Sequence, residues 1–197
     1  MISLILFILK INNHYMKYQD LKNYRYNLKR EKAKYYIQFY KIIDLLLIKT
    51  SPKFLHIWRV FIYRLFGAKI GKGLKISSSA KLLYPWNINI GDYCWIGDNV
   101  ELYSVDKIII GNNVAFAHNI FIATASHDIN LTLFPTVRAK IIFEDEVWVS
   151  SNVFINMGVV IKKGCVIGSG SVVTKDLPEG YICVGNPARA IKKRIIK

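Results

Sequence analysis

Aliphatic and aromatic residues recur at every sixth position through the C-terminal two-thirds of the chain. Phe143, Val149, Ile155, Ile161, Ile167 and Val173 hold one unbroken phase. Upstream lie three triplets: Ile70, Ile76, Leu82; Ile90, Ile96, Leu102; and Ile110, Phe116, Ile122. Successive triplets are eight residues apart, so two extra residues separate them. The position two before each repeat residue is mostly apolar or small, as in Ile88, Cys94, Val100 and in Ile141, Val147, Val153, Val159, Cys165, Ser171. Alternation at period two marks a strand with one buried face. A period of six makes three short strands and their turns one triangular coil, and stacked coils bury a continuous apolar column. The pattern predicts a mainly β fold, a parallel β-helix of hexapeptide repeats, and excludes an amphipathic helix of period 3.6. Glycine after the repeat residue (Gly71, Gly91, Gly97, Gly111, Gly168) is expected to give the corners backbone dihedrals that a side chain would hinder. The two-residue insertions are expected as bulges at one corner.

Outside the repeat the pattern changes. Residues 17–66 read as a helical, basic N-terminal segment, polar and Tyr-rich from Tyr18 to Tyr40, with helical spacing of apolar residues from Ile37 to Leu47. Ser51-Pro52 breaks that run and starts a second helix, Leu55 to Phe66, with Trp58, Phe61, Ile62 and Leu65 on one face and Arg59 and Arg64 elsewhere. This second helix is expected to cap the open first coil. The β-helix spans 67–186, broken once by a loop at 123–140, and a basic tail occupies 187–197. Residues 1–16 are an N-terminal extension with Met1 and Met16 as alternative starts. The apolar run Met1–Leu9 is too short to span a bilayer and lacks the features of a secretory signal.

Composition adds a bias to this picture. The net charge of +15 is uneven: residues 1–75 carry 16 Lys/Arg against 3 Asp/Glu, and the repeat half is nearly neutral. The basic, aromatic arm therefore has nucleic acid, anionic lipid or a neighbouring subunit as candidate partners. The scattered cysteines Cys94, Cys165 and Cys183 form neither a disulfide framework nor a zinc cluster, and the four histidines show no ligand spacing. No metal is expected, and a reducing cytoplasm is the expected location, with peripheral contact at the inner membrane as an option.

The loop contains Ser126-His127-Asp128 and, further on, Phe134-Pro135. A long interruption in a regular solenoid is more often functional than accidental. From spacing alone His127 is either an ordinary surface histidine or a general base. Together with Val172-Val173-Thr174-Lys175-Asp176-Leu177-Pro178 and Gly185-Asn186-Pro187-Ala188-Arg189, the repeat and the loop resemble the hexapeptide-repeat acetyltransferases, whose prism is a left-handed parallel β-helix. Phe66-Gly67-Ala68-Lys69-Ile70-Gly71 and Tyr84-Pro85-Trp86-Asn87 narrow the resemblance to the colanic-acid-type exopolysaccharide acetyltransferases, over about Ser51 to Arg194.

That resemblance implies an acetyl-CoA-dependent O-acetyltransferase acting on a sugar or glycan hydroxyl. His127 would be the general base. Asp128 would orient the imidazole or bind acceptor, and Ser104 and Asp106 would contact acceptor. Trp148 and Ser151 would lie along the pantetheine arm, Ser169, Thr174 and Lys175 near the adenine and phosphates, and Arg189 and Lys192 at the nucleotide end. The family's trimer implies a homotrimer with CoA between neighbouring prisms. The buried-type positions of Cys94 and Cys165 argue against a cysteine nucleophile and for direct transfer. Transfer to a small acceptor such as serine or a free sugar, and a non-catalytic scaffold, stand as alternatives.

Overall fold

The computed structural model describes residues 17–29 and 31–196. The extension 1–16, with its apolar run and both alternative starts, lies outside them. The chain divides into two compact units, one of residues 17–28 with His127–Val137, the other of Lys29–Ser126 with Arg138–Lys197.

The larger unit is a parallel β-solenoid of about six turns. Its first face stacks Lys69–Ile70, Ile88–Ile90, Ile108–Ile110, Ile141–Phe143 and Val160–Ile161. The second stacks Lys75–Ile76, Trp95–Ile96, Ala115–Phe116, Trp148–Val149, Val166–Ile167 and Tyr181–Val184. The third stacks Lys81–Leu82, Glu101–Tyr103, Phe121–Ala123, Phe154–Ile155 and Val172–Val173. Repeat residues pair with repeat residues: Ile90 with Ile110, Ile96 with Phe116, Leu102 with Ile122, and Phe143 with Ile161. Every member of the sixfold series from Ile76 to Val173 is buried, and so is the residue two before it. Each Val, Leu, Ile or Phe among them contributes about 1.5–3 kcal/mol when fully removed from water, which is why the period specifies the fold.

The corners depart from expectation in an informative way. Left-handed backbone falls not on the glycines after the repeat residue but two positions later. Gly73, Tyr93, Asn113, Glu146, Gly164 and Gly180 hold it between the first and second faces, and Asn99, Asn119, Asn152 and Gly170 between the second and third. Asparagine tolerates that region better than most residues. The glycines after the repeat residue are required by proximity instead. A Cβ at Gly91 would sit 2.7 Å from the carbonyl carbon of Gly111 in the next coil.

All insertions fall at the corner between the third and first faces. Residues 83–87 turn there through a 3-10 segment, Pro85–Asn87, and the long loop leaves from the same corner after Ala123. Buried Asn87, Ser104 and Thr124 line it. Asn87 donates to the Ser104 carbonyl at 2.9 Å, and the Thr124 hydroxyl donates to the Tyr103 carbonyl at 2.8 Å while accepting from the Asp106 amide. The bonds to the Ser104 carbonyl and from the Asp106 amide satisfy backbone groups that the widened turns take out of the strand ladder.

Two helices close the N-terminal end of this unit. Helix α1, Lys34–Ile43, runs into a π turn, Asp44–Ile48, and α2 spans His56–Leu65. Tyr40, Ile48, Val60, Ile62, Tyr63 and Phe66 join the core of the first coil. The buried face of α2 is Arg59, Val60, Ile62 and Tyr63, whereas Trp58, Phe61 and Leu65 are exposed. Arg59 is buried because its guanidinium has hydrogen-bond partners on every side. It donates to the carbonyls of Ile76 (2.9 Å), Pro52 (2.8 Å) and Lys53 (2.7 Å) and to the Ser51 hydroxyl (2.9 Å). At the other end the basic tail is a strand, Arg189–Lys193, antiparallel to Tyr181–Val184.

Candidate active site

The smaller unit carries His127. Its chain turns through Phe134, in the left-handed region at φ 51°, and brings the Phe134 carbonyl to 2.8 Å from His127 Nδ1. The Phe134 ring stacks on the imidazole, centroids 4.3 Å apart and nearly parallel, and Tyr24 meets it edge-on at 5.8 Å. The N-terminal segment fastens this turn. Asn27 exchanges two hydrogen bonds with the Thr136 backbone, and the Tyr24 and Thr136 hydroxyls are 2.8 Å apart. A carbonyl oxygen only accepts, so Nδ1 carries the proton and Nε2 keeps its lone pair. That is the tautomer of a general base. Asp128 does not orient the ring: its carboxylate accepts from the Asn130 amide at 2.9 Å and shapes the turn.

In the larger unit a groove of about 620 Å³ runs along the second face. Gly97, Ala115 and Ala117 form its floor, with the indoles of Trp95 and Trp148 on either side of Ala115. Asp98, His118 and Ser77 line the corner, and Lys53, Phe54 and His56 form the wall at the start of α2. Asp98 accepts hydrogen bonds from Ser77 and Ser79, which hold its carboxyl below the usual range, with the charge of Lys53 adding to the effect. His118 Nδ1 accepts from the Asp98 amide at 3.1 Å, so its neutral ring presents Nε2–H, a donor. Arg59 braces the wall through the carbonyls of Pro52 and Lys53. Period six hides this cluster. The legible signal is the coil length itself, because Asp98 and His118 are 20 residues apart and stack in adjacent coils.

The sequence-predicted cofactor residues fall on two edges of the prism. Trp148, Ser151 and Ser169 follow the corner between second and third faces, where Ser151 accepts from the His118 amide at 3.4 Å and Ser169 bonds Ser150 at 2.7 Å. Thr174 and Lys175 are exposed at the next corner, and Arg189 and Lys192 are exposed on the last strand. Ser104 is buried with its hydroxyl exchanging hydrogen bonds with the Tyr84 backbone. Asp106 accepts from the Lys107 amide and faces Arg138 at 3.9 Å. All three cysteines are buried, and desolvation pushes their thiols up. Among the described residues no three His, Cys, Asp or Glu side chains gather as a metal site, and no helix is long and apolar enough to cross a membrane.

No protein-family model matches the chain. A putative colanic acid biosynthesis acetyltransferase of Escherichia coli is 38% identical over 159 residues, covering 81% of this chain and 87% of that protein. A hexapeptide-repeat acetyltransferase of Vibrio cholerae, solved with acetyl coenzyme A, superposes with a TM-score of 0.78 at 26% identity, covering 89% of this chain and 96% of the other. A maltose O-acetyltransferase of Clostridium difficile gives 0.71 at 30% identity, over 83% and 90% of the two chains.

Proposed function

The chain belongs to the hexapeptide-repeat acetyltransferases, and on that premise we propose that it moves acetyl from acetyl-CoA to a hydroxyl of a glycan under assembly. The reaction class follows from the relatives, which are acetyltransferases, one solved with acetyl coenzyme A. The observation that carries the mechanism is the Phe134 carbonyl at His127 Nδ1, which leaves Nε2 free to accept a proton. Nε2 takes the proton of the acceptor hydroxyl as its oxygen attacks the thioester carbonyl. Collapse of the tetrahedral adduct breaks the carbon–sulfur bond, and the imidazolium protonates the departing thiolate. The products are an acetyl ester and CoA. General-base catalysis contributes about 10²–10⁴-fold, and positioning supplies much of the rest. Direct transfer is the reading we favour, because burial pushes all three thiols up and disfavours the thiolate that a cysteine nucleophile needs.

The groove suits an extended, amide-bearing arm. Its small floor lets a chain approach the backbone, Trp148 gives an apolar wall, and His118 Nε2–H offers a hydrogen bond. Ser151 and Ser169 continue that edge, and Thr174, Lys175, Arg189 and Lys192 supply donors and charge for the adenine and phosphates. Asp128 and Asp106 shape and bind the acceptor side, with Ser104 supporting the corner beneath Tyr84. Assembly as a homotrimer would complete each site from two prisms, in the cytoplasm, with the basic segment 17–66 near the inner membrane surface.

Purified protein incubated with radiolabelled acetyl-CoA and a panel of polysaccharides, oligosaccharides, free sugars and serine tests this reading. Label should enter polymer or oligosaccharide as an alkali-labile ester. Label in free sugar or serine alone moves the acceptor to the small-molecule class, and no label in any acceptor overturns the proposal.

A further inference from the structure

Both N-terminal helices are apolar on two sides, although a cap needs only one. Tyr36, Tyr40 and Ile43 of α1 face the first coil, and so do Val60, Ile62 and Tyr63 of α2. On the outer side Tyr35, Phe39, Ile42 and Leu46 form a stripe at spacings of four, three and four, and Ile57, Phe61 and Leu65 form another at four and four. All seven are exposed, Ile57 at 87% and Tyr35 at 79%. The Trp58 indole joins the stripes: it stacks on Phe61 at 6.1 Å and donates to the Leu47 carbonyl at 3.0 Å. A contiguous apolar surface of this kind marks an interaction site.

Its charge indicates the partner. Lys34, Lys41 and Arg64 each directly precede a stripe residue, namely Tyr35, Ile42 and Leu65. Residues 31–66 hold only two acids, and both face cations: Glu31 lies 3.8 Å from Arg138 and Asp44 3.8 Å from Lys49. A two-fold contact with the same surface of a second copy would set lysine against lysine across the junction, which is costly. Anionic headgroups meet the lysines favourably, while the aromatic and aliphatic side chains enter the acyl boundary. Lysine stems also extend along apolar surface to reach the headgroups.

We propose that the outer faces of α1 and α2, from Lys34 to Leu65, dock on an anionic lipid bilayer. This deepens the membrane contact named under the proposed function, narrowing it from residues 17–66 to one surface, and it holds for any acceptor.

Flotation of the full chain with vesicles of phosphatidylcholine alone or mixed with phosphatidylglycerol tests the docking. Binding is expected only to the mixed vesicles and should weaken at least tenfold at high salt. The exposed substitutions Tyr35→Ser, Ile57→Ser and Leu65→Ser, combined, should cut vesicle binding at least tenfold with acetyl transfer to a water-soluble glycan unchanged. Lys34→Glu with Lys41→Glu should abolish the preference for the anionic mixture. Failure of the wild type to float overturns the docking, as does full binding by the triple variant, which would move the contact to another segment. A triple variant whose oligomeric state changes instead, measured by light scattering, assigns the surface to contact between copies and also overturns it. Transfer without flotation would sink the membrane surface alone, and flotation without transfer would sink the reaction alone.

Discussion

His118 and His127 present opposite nitrogens, and a single backbone group decides each case. An amide proton holds His118 Nδ1, whereas a carbonyl holds His127 Nδ1, so only the second ring offers Nε2 as a base. His127→Ala should lower kcat by about 10²–10⁴-fold, with the melting temperature unchanged; steady-state kinetics beside a thermal scan checks it. Equal turnover in the variant would remove the base assignment. Asp44 gives a prediction of another kind. Burial pushes its carboxyl up, with Lys49 and Lys81 opposing, and one oxygen is buried with no hydrogen-bond partner. A carboxyl with a raised folded pKa costs stability as pH rises above its unfolded value, about 3.9. Asp44→Asn should therefore raise the melting temperature at pH 7 by about 2–4 °C, and the gain should vanish below pH ~4. The break in a regular period pointed to the loop that holds His127, but by itself it left that ring either an ordinary surface histidine or a base. Arg59 was not legible: a charged side chain is assigned to solvent by default, and only the fold brings the Ser51–Lys53 turn and the Ile76 carbonyl together around it.

At the scale of elements, the strands could be read from the chain and the corners only in part. Period six located the strands because burial of the repeat residue is the same in every coil. It could not say why a glycine stands where it does, since that depends on the neighbouring coil. Gly97 and Gly170 separate the two reasons. A Cβ on Gly97 would collide with the Ala117 carbonyl, whereas Gly170 has open space but φ +71°. Gly97→Ala should cost about 2 kcal/mol by overpacking, and Gly170→Ala about 1 kcal/mol by backbone strain alone; urea unfolding of both variants should preserve that order. The helical run from Ile37 to Leu47 gave no sign that it widens into a π turn at Asp44–Ile48. The wall beside the groove adds a coupled test. Arg59→Leu strips donors from three carbonyls and should destabilise by about 3 kcal/mol. Because the wall carries Lys53 and His56, KM should rise more than kcat falls, whereas a purely structural role would lower the active fraction and leave KM alone.

For the whole molecule, the loop enters the solenoid at a modest entropic cost. Strand partners are 20 residues apart before it and 33 apart across it, as Ile90–Ile110 and Ile110–Phe143 show. Loop closure grows as the logarithm of length, so those extra residues cost only about 0.5 kcal/mol. Replacing 127–137 by a short Gly-Ser linker should leave urea stability within about 1 kcal/mol and abolish transfer. A large loss of stability would show that the loop holds the prism together. This economy also explains why the repeat could be read on both sides of the break, while the fastening of the loop by Tyr24 and Asn27 could not. Those contacts join segments more than a hundred residues apart, with no periodicity to announce them.

The short distance between strand partners has a consequence for how the molecule comes into being. No rung waits for a partner far along the polypeptide, so the ladder can be laid down in the order in which a ribosome delivers it. Each finished turn is the template for the one behind it, from the α2 end upward. The Arg189–Lys193 strand pairs with Tyr181–Val184 and gives that end of the second face a lysine- and arginine-bearing edge, which discourages the addition of foreign strands.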